Sequence, residues 1–133
     1  MQDFQKLKVW EKSHHLAIDI HRVAGTFSRS GTALTSQLRR AALSVPSNIA
    51  EGSGKLGQLE FRRYLQIAMG SAAEVKYHLL AARDLELIGP ETYHDLSERT
   101  SEVRRMLTGL IKRLTPSDST LGGPIEDSRP PAN

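Results

Sequence analysis

The chain has no cysteine. Disulfides, thiolate metal sites and a cysteine nucleophile are therefore excluded, and a reducing compartment suits the composition. Aromatic residues make up only 5% of the 133 residues. A core must then be built from Leu, Ile, Val and Ala, which favours helices over a β-sandwich rich in Tyr, Phe, Val and Thr. No apolar run approaches the eighteen or so residues that a membrane-spanning helix needs. The opening Met1-Gln2-Asp3-Phe4-Gln5-Lys6 has no apolar stretch after its charges, so no secretory signal is expected. No membrane partner is expected either, and the cytoplasm is the expected location. No Gly-x-Ser-x-Gly elbow occurs. Gly52, Gly54 and Gly57 lack the strand before and the Gly-Lys-Ser/Thr after that would make a phosphate loop; they look instead like a helix-to-helix hinge.

What is present is an ordinary globular balance, with 38% hydrophobic and 25% charged residues and a formal net charge of +3. One domain is expected from this length. Residues 1–63 carry ten Lys/Arg against five Asp/Glu, and residues 64–114 carry seven of each. The excess of positive charge in the first half admits a polyanionic partner such as nucleic acid. The plainer interpretation is a solvated, mildly basic surface. Residues 115–133 hold Pro116, Pro124, Pro130, Pro131 and the pair Gly122-Gly123. Such a segment buries too little apolar area to offset its ordering entropy, so a disordered tail is expected there.

Residues 1–114 carry four helical patterns. The first runs from about Phe4 to Phe27, with an apolar stripe through Leu7, Trp10, Leu16, Ile20 and Val23. A turn at Ser28–Thr32 ends it. The second runs from about Ala33 to Glu51, with Pro46 predicting a kink or break near Ala42–Pro46. The third is the clearest: Phe61, Leu65, Ala68, Ala72, Val75, Leu79 and Ala82 follow a 4-3 alternation, the seam of a long helix lying nearly parallel to its neighbours. The small residues Gly70, Ser71, Ala72 and Ala73 mark a place where another backbone comes close. Gly89-Pro90 stops this helix and starts a fourth, whose seam is Tyr93, Leu96, Thr100, Val103, Leu107, Leu110 and Leu114. Long helices with short connections make the fold class all-α, an antiparallel up-down-up-down four-helix bundle.

A bundle invites a di-metal site built from Glu-x-x-His pairs. Glu11-x-x-His14 and Glu91-x-x-His94 are present, but they begin the first and fourth helices, which start at opposite ends of such a bundle. No metal site and no cofactor are expected, and the chain is expected not to be an enzyme. The sharper signal lies on the second helix. Arg40, Ser44, Ser47 and Glu51 recur at 4-3-4 spacing, with Asn48 beside them and Arg39 adjacent. One arginine could grip a phosphate while the other pairs with an acid such as Glu51, in the same or a neighbouring subunit; alternatively the stripe is a solvated polar face. Lys55, Arg62 and Arg63 add positive charge nearby. Arg39, Arg40, Lys55, Arg62 and Arg63 are thus the candidates for nucleic-acid contact, and Arg40, Ser44, Ser47, Asn48 and Glu51 for an oligomer interface or structural polar stripe.

These residues also resemble a known family. Asp3-Phe4, Leu7 and Val9-Trp10, then Leu34-Thr35-Ser36-Gln37-Leu38-Arg39-Arg40-Ala41-Ala42 and Ser44-Val45-Pro46-Ser47-Asn48-Ile49-Ala50-Glu51-Gly52, are similar to the four-helix bundle proteins encoded in intervening sequences of bacterial 23S rRNA genes. Phe61, Tyr64-Leu65, Ala68-Met69-Gly70-Ser71, Glu74 and Met106-Leu107-x-Gly109-Leu110-Ile111 continue the resemblance over residues 1–114. It implies a bundle that assembles into a ring, a homopentamer. It also implies kinship with the accessory protein of diversity-generating retroelements, a basic barrel that associates with nucleic acid and a reverse transcriptase. A protein partner without nucleic acid is the alternative.

Overall fold

The structure is a computed structural model, and it describes residues 3–116. The tail expected over residues 115–133 lies, from residue 117 onward, outside the described residues. A 3-10 turn at Phe4–Lys6 is capped by the Asp3 carboxylate, which accepts from the Gln5 N–H at 3.1 Å. Four helices follow: α1 (Lys8–Ala24), α2 (Thr32–Ser53), α3 (Gln58–Asp84) and α4 (Pro90–Leu114). No strand occurs among the described residues.

Each helix packs on the one before it, and α4 closes on α1. This is the expected antiparallel bundle. It has two ends. The basal end holds the start of α1, the α2–α3 connection and the close of α4. The apical end holds the α1–α2 and α3–α4 connections.

The α3 seam needs no correction: all seven of its expected positions are buried. On α4, Leu96, Thr100, Val103 and Leu107 are buried, while Tyr93, Leu110 and Leu114 are half-buried against the core. Pro90 takes the first position of α4, where its missing N–H has no helical partner to lose.

Three local expectations change. The first helix starts at Lys8, because Leu7 adopts an extended conformation between the 3-10 turn and α1, and it stops at Ala24. Pro46 does not break α2, which continues from Thr32 to Ser53. The proline removes one backbone donor, but Ala42, Val45, Pro46 and Ile49 are all buried, so packing on both sides of the gap holds the helix in one piece. Gly52 is no hinge. It lies inside α2, and a Cβ there would sit 2.7 Å from the Tyr64 Cβ and 3.1 Å from the Phe61 ring. Glycine is needed here for close approach to α3, not for freedom.

The α3–α4 connection is a Schellman motif. The Leu87 N–H donates to the Ala82 carbonyl at 2.8 Å and the Glu86 N–H to the Arg83 carbonyl at 3.0 Å. Glu86 occupies the left-handed position, φ 61°, where glycine is the usual residue.

Candidate nucleic-acid interface

The five basic candidates do not form one patch. Arg39 and Arg40 lie on the apical half of α2, and Lys55, Arg62 and Arg63 lie at the basal α2–α3 connection. Arg40 and Lys55 are fifteen residues apart, roughly 20 Å along the helix axis.

Most of these groups are already engaged within the chain. The Arg39 Nε and Nη2 donate to the His21 carbonyl at 3.2 and 2.9 Å, an oxygen in the last turn of α1 that also accepts from the Gly25 N–H at 3.2 Å. Arg40 forms an ion pair with Glu74 of α3 and donates to the Gln37 Oε1 at 3.0 Å. Within the chain its acidic partner is therefore Glu74. Glu51 instead accepts from the Tyr64 hydroxyl at 3.2 Å, with the Lys55 Nζ 4.0 Å away. That ammonium also sits 5.4 Å above the centre of the Tyr64 ring. Arg63 lies 3.8 Å from Glu60 in its own helix. Arg62 is half-buried, and its Nε has no hydrogen-bond partner.

The polar stripe of α2 likewise meets α3 of the same chain. The Ser44 and Ser71 hydroxyls are 2.8 Å apart, and the Asn48 amide donates to the Ser44 carbonyl and hydroxyl at 2.8 and 3.0 Å. The Ser44–Ser71 bond links two helices at the half-buried edge of the core, and the Asn48 bonds hold Ser44 from within α2. Ser47 is exposed. Of the small residues on α3, Ser71 and Ala72 face the bundle, whereas Gly70 and Ala73 are exposed and nothing approaches within 4 Å of a Cβ built at Gly70.

The histidines of the two Glu-x-x-His pairs stand at opposite ends of the bundle. His14 stacks on Trp10 with ring centroids 4.9 Å apart. Among the described residues, no group of three or more His, Asp or Glu is placed to hold a metal ion, and no helix is long and apolar enough to cross a membrane.

The distribution of charge between the ends is uneven. The basal half of the bundle (residues 3–16, 43–71 and 102–116) carries ten Lys/Arg and five Asp/Glu, while the apical half (17–42 and 72–101) carries seven of each. Three of the five basal acids are matched inside the chain: Glu102 to Lys12 at 3.3 Å, Glu51 to Lys55 and Glu60 to Arg63. Lys8, Arg62, Arg104, Arg105, Lys112 and Arg113 have no acidic partner among the described residues. Sequence reasoning missed the four cations of α4. Their signal was a run, Val103–Pro116, with four cations and no acid, concealed when the charges of residues 64–114 were pooled.

The class so defined is an all-α bundle with a cationic end. The chain belongs to the 23S rRNA-intervening sequence protein family, whose profile matches residues 5–109. It is also similar to a crystal structure from Bacteroides thetaiotaomicron, described as a protein with unknown function from the S23 ribosomal protein family. The two share 25% identity and a TM-score of 0.74, over 78% of this chain and 98% of that one. A comparison with curated proteins finds no match.

Proposed function

We propose that this chain is a non-enzymatic, self-assembling bundle of the cytoplasm that binds RNA or DNA through phosphate contacts at its basal end. The observation that carries this is the concentration of unmatched cations there. Such a surface attracts a polyanion by counterion release, without the need to recognise bases. The resemblance to the retroelement accessory protein supports the same conclusion and suggests a ring of five copies.

A second reading, a protein-interaction scaffold, is favoured by a different surface. Leu43, Ile67 and Tyr77 are 44%, 47% and 64% exposed on the outer faces of α2 and α3. Contact with copies of the chain or with another protein would bury them.

The two are separated by titrating the full chain with generic single- and double-stranded RNA and DNA at low and moderate salt, with mass measured by light scattering on the same sample. Salt-sensitive binding by an oligomer is expected. An oligomer that ignores every nucleic acid at low salt would leave only the scaffold.

A further inference from the structure

We infer that the groove between α3 and α4 is a sequence-tolerant seat for the sugar–phosphate backbone of nucleic acid. This rests on the phosphate-binding function proposed above and gives it a place and a set of residues that the sequence pattern did not suggest.

The groove has a volume of about 390 Å³ and is lined by Met69, Ser101, Arg104, Arg105 and Thr108. No carboxylate lines it. Its α3 wall follows a heptad: Met69 meets the Thr108 hydroxyl at 3.9 Å, and the Lys76 Nζ donates to the Ser101 hydroxyl at 2.6 Å. Arg62 lies one heptad before Met69, on the same side of α3. The α4 wall therefore carries two hydroxyls, Ser101 and Thr108, on either side of Arg104 and Arg105, and α3 adds Arg62 and Lys76 one heptad to each side of Met69, the donor set that phosphate oxygens take up.

Two donors in this region are unanswered. The Nε of Arg62 and the Nε of Arg104 are buried with no hydrogen-bond partner. A buried unpaired donor is unfavourable, and each instance in a native fold calls for a cause. An arginine uses Nε together with one terminal nitrogen when it grips an oxyanion in two-point fashion. Both Nε atoms are covered as the side chains lie, and a turn of the guanidinium outward gives Nε and a terminal nitrogen to a phosphate together, the acceptor that the fold withholds. The helix dipole does not explain these residues. Lys112 and Arg113 occupy the last turn of α4, where cations are favourable in any helix, but Arg104 and Arg105 stand about two turns earlier.

The positive track does not stop at the groove. Arg105 also lines the neighbouring depression on the other side of α4, together with Lys8 and Arg113, and again without a carboxylate. The track thus wraps α4 from α3 to α1. No aromatic ring lines either wall, so bases have no stacking platform and recognition falls on the backbone.

The test uses the full chain and a short RNA duplex of arbitrary sequence. Arg104→Gln with Arg105→Gln is expected to weaken binding about tenfold or more at low salt and to flatten the salt slope by about 2, one lost phosphate contact for each arginine. Thr108→Glu, an exposed position that leaves the arginines in place, is expected to weaken binding in the same direction. Lys55→Gln with Arg63→Gln should change affinity less than about threefold, because both groups already have acidic neighbours. Light-scattering mass and helicity by circular dichroism should hold for all three. The Nε–H resonance of Arg104 should shift on addition of the duplex, which a purely structural arginine would not do. If the groove variants bind like the wild type while the Lys55/Arg63 variant loses affinity, the groove is overturned and phosphate binding by the basal end survives. A wild-type chain that ignores the duplex at low salt overturns both.

Discussion

Whether an arginine is available to a ligand depends on the acceptors within reach of its fork. The chain has three Arg-Arg pairs, Arg39-Arg40, Arg62-Arg63 and Arg104-Arg105. They look alike in sequence. In the fold, Arg39 is committed to a carbonyl eighteen residues away and Arg40 to a carboxylate 34 residues away, while Arg104 and Arg105 meet no acid among the described residues. Arg39→Ala should therefore lower stability by about 0.5–1.5 kcal/mol, through the lost hydrogen bonds between α2 and the last turn of α1, and leave affinity for nucleic acid at low salt unchanged; denaturant unfolding and a binding titration check both halves. Glu86 offers a test of the opposite sign. Replacing it by glycine removes the left-handed penalty on a side-chain-bearing residue, and Glu86→Gly should raise stability by about 0.5–1 kcal/mol in the same unfolding experiment. Neither role was legible in the sequence, because both depend on partners or backbone angles that local spacing does not encode.

At the scale of the element, periodicity was the informative signal. The 4-3 alternation on α3 identified every buried position of that helix, since a long helix in a nearly parallel bundle must keep one seam inward. Leu65→Ala on that seam should cost about 2–5 kcal/mol. Ile67→Ala, on the outer face, should cost less than about 0.5 kcal/mol of monomer stability. If copies of the chain meet on that face, the mass by light scattering should fall. Punctuation residues were less informative than periodicity. Pro46 and Gly52 are usual signs of a break, yet both sit inside α2. Pro46 is held by buried neighbours on either side, and Gly52 is fixed by the Tyr64 Cβ and the Phe61 ring of α3. Gly52→Ala forces a methyl group against Tyr64, with an expected loss of about 1–3 kcal/mol by thermal or denaturant unfolding. The polar stripe of α2 was visible as a pattern, but its partner helix was not. Ser44 and Asn48 hydrogen-bond at a seam within the chain, and the acid for Arg40 comes from α3.

On the scale of the whole molecule, the charges sort by end rather than by position along the chain. An antiparallel bundle brings the start of α1, the α2–α3 connection and the close of α4 together. A division of the sequence at residue 63 therefore separates six of the ten basal cations from the four of α4 that fold beside them. The acids of residues 64–114 fall between Glu74 and Glu102, and the last four cations follow them. Folding sends most of those acids to the apical half and the four cations to the basal end. Fold class was legible because it depends on local period. The interface was only partly legible, because it depends on which remote carboxylates come near each cation.

The most direct test of an end-specific polyanion surface holds net charge constant between two variants. Arg105→Gln with Arg113→Gln removes two basal cations, and Arg22→Gln with Arg29→Gln removes two apical ones. Affinity for an RNA duplex is measured for both across a salt series. The basal variant should bind about tenfold more weakly at low salt with a shallower salt slope, while the apical variant should follow the wild type. Equal losses in the two variants would contradict this account, since binding would then follow net charge and not the geometry of the bundle.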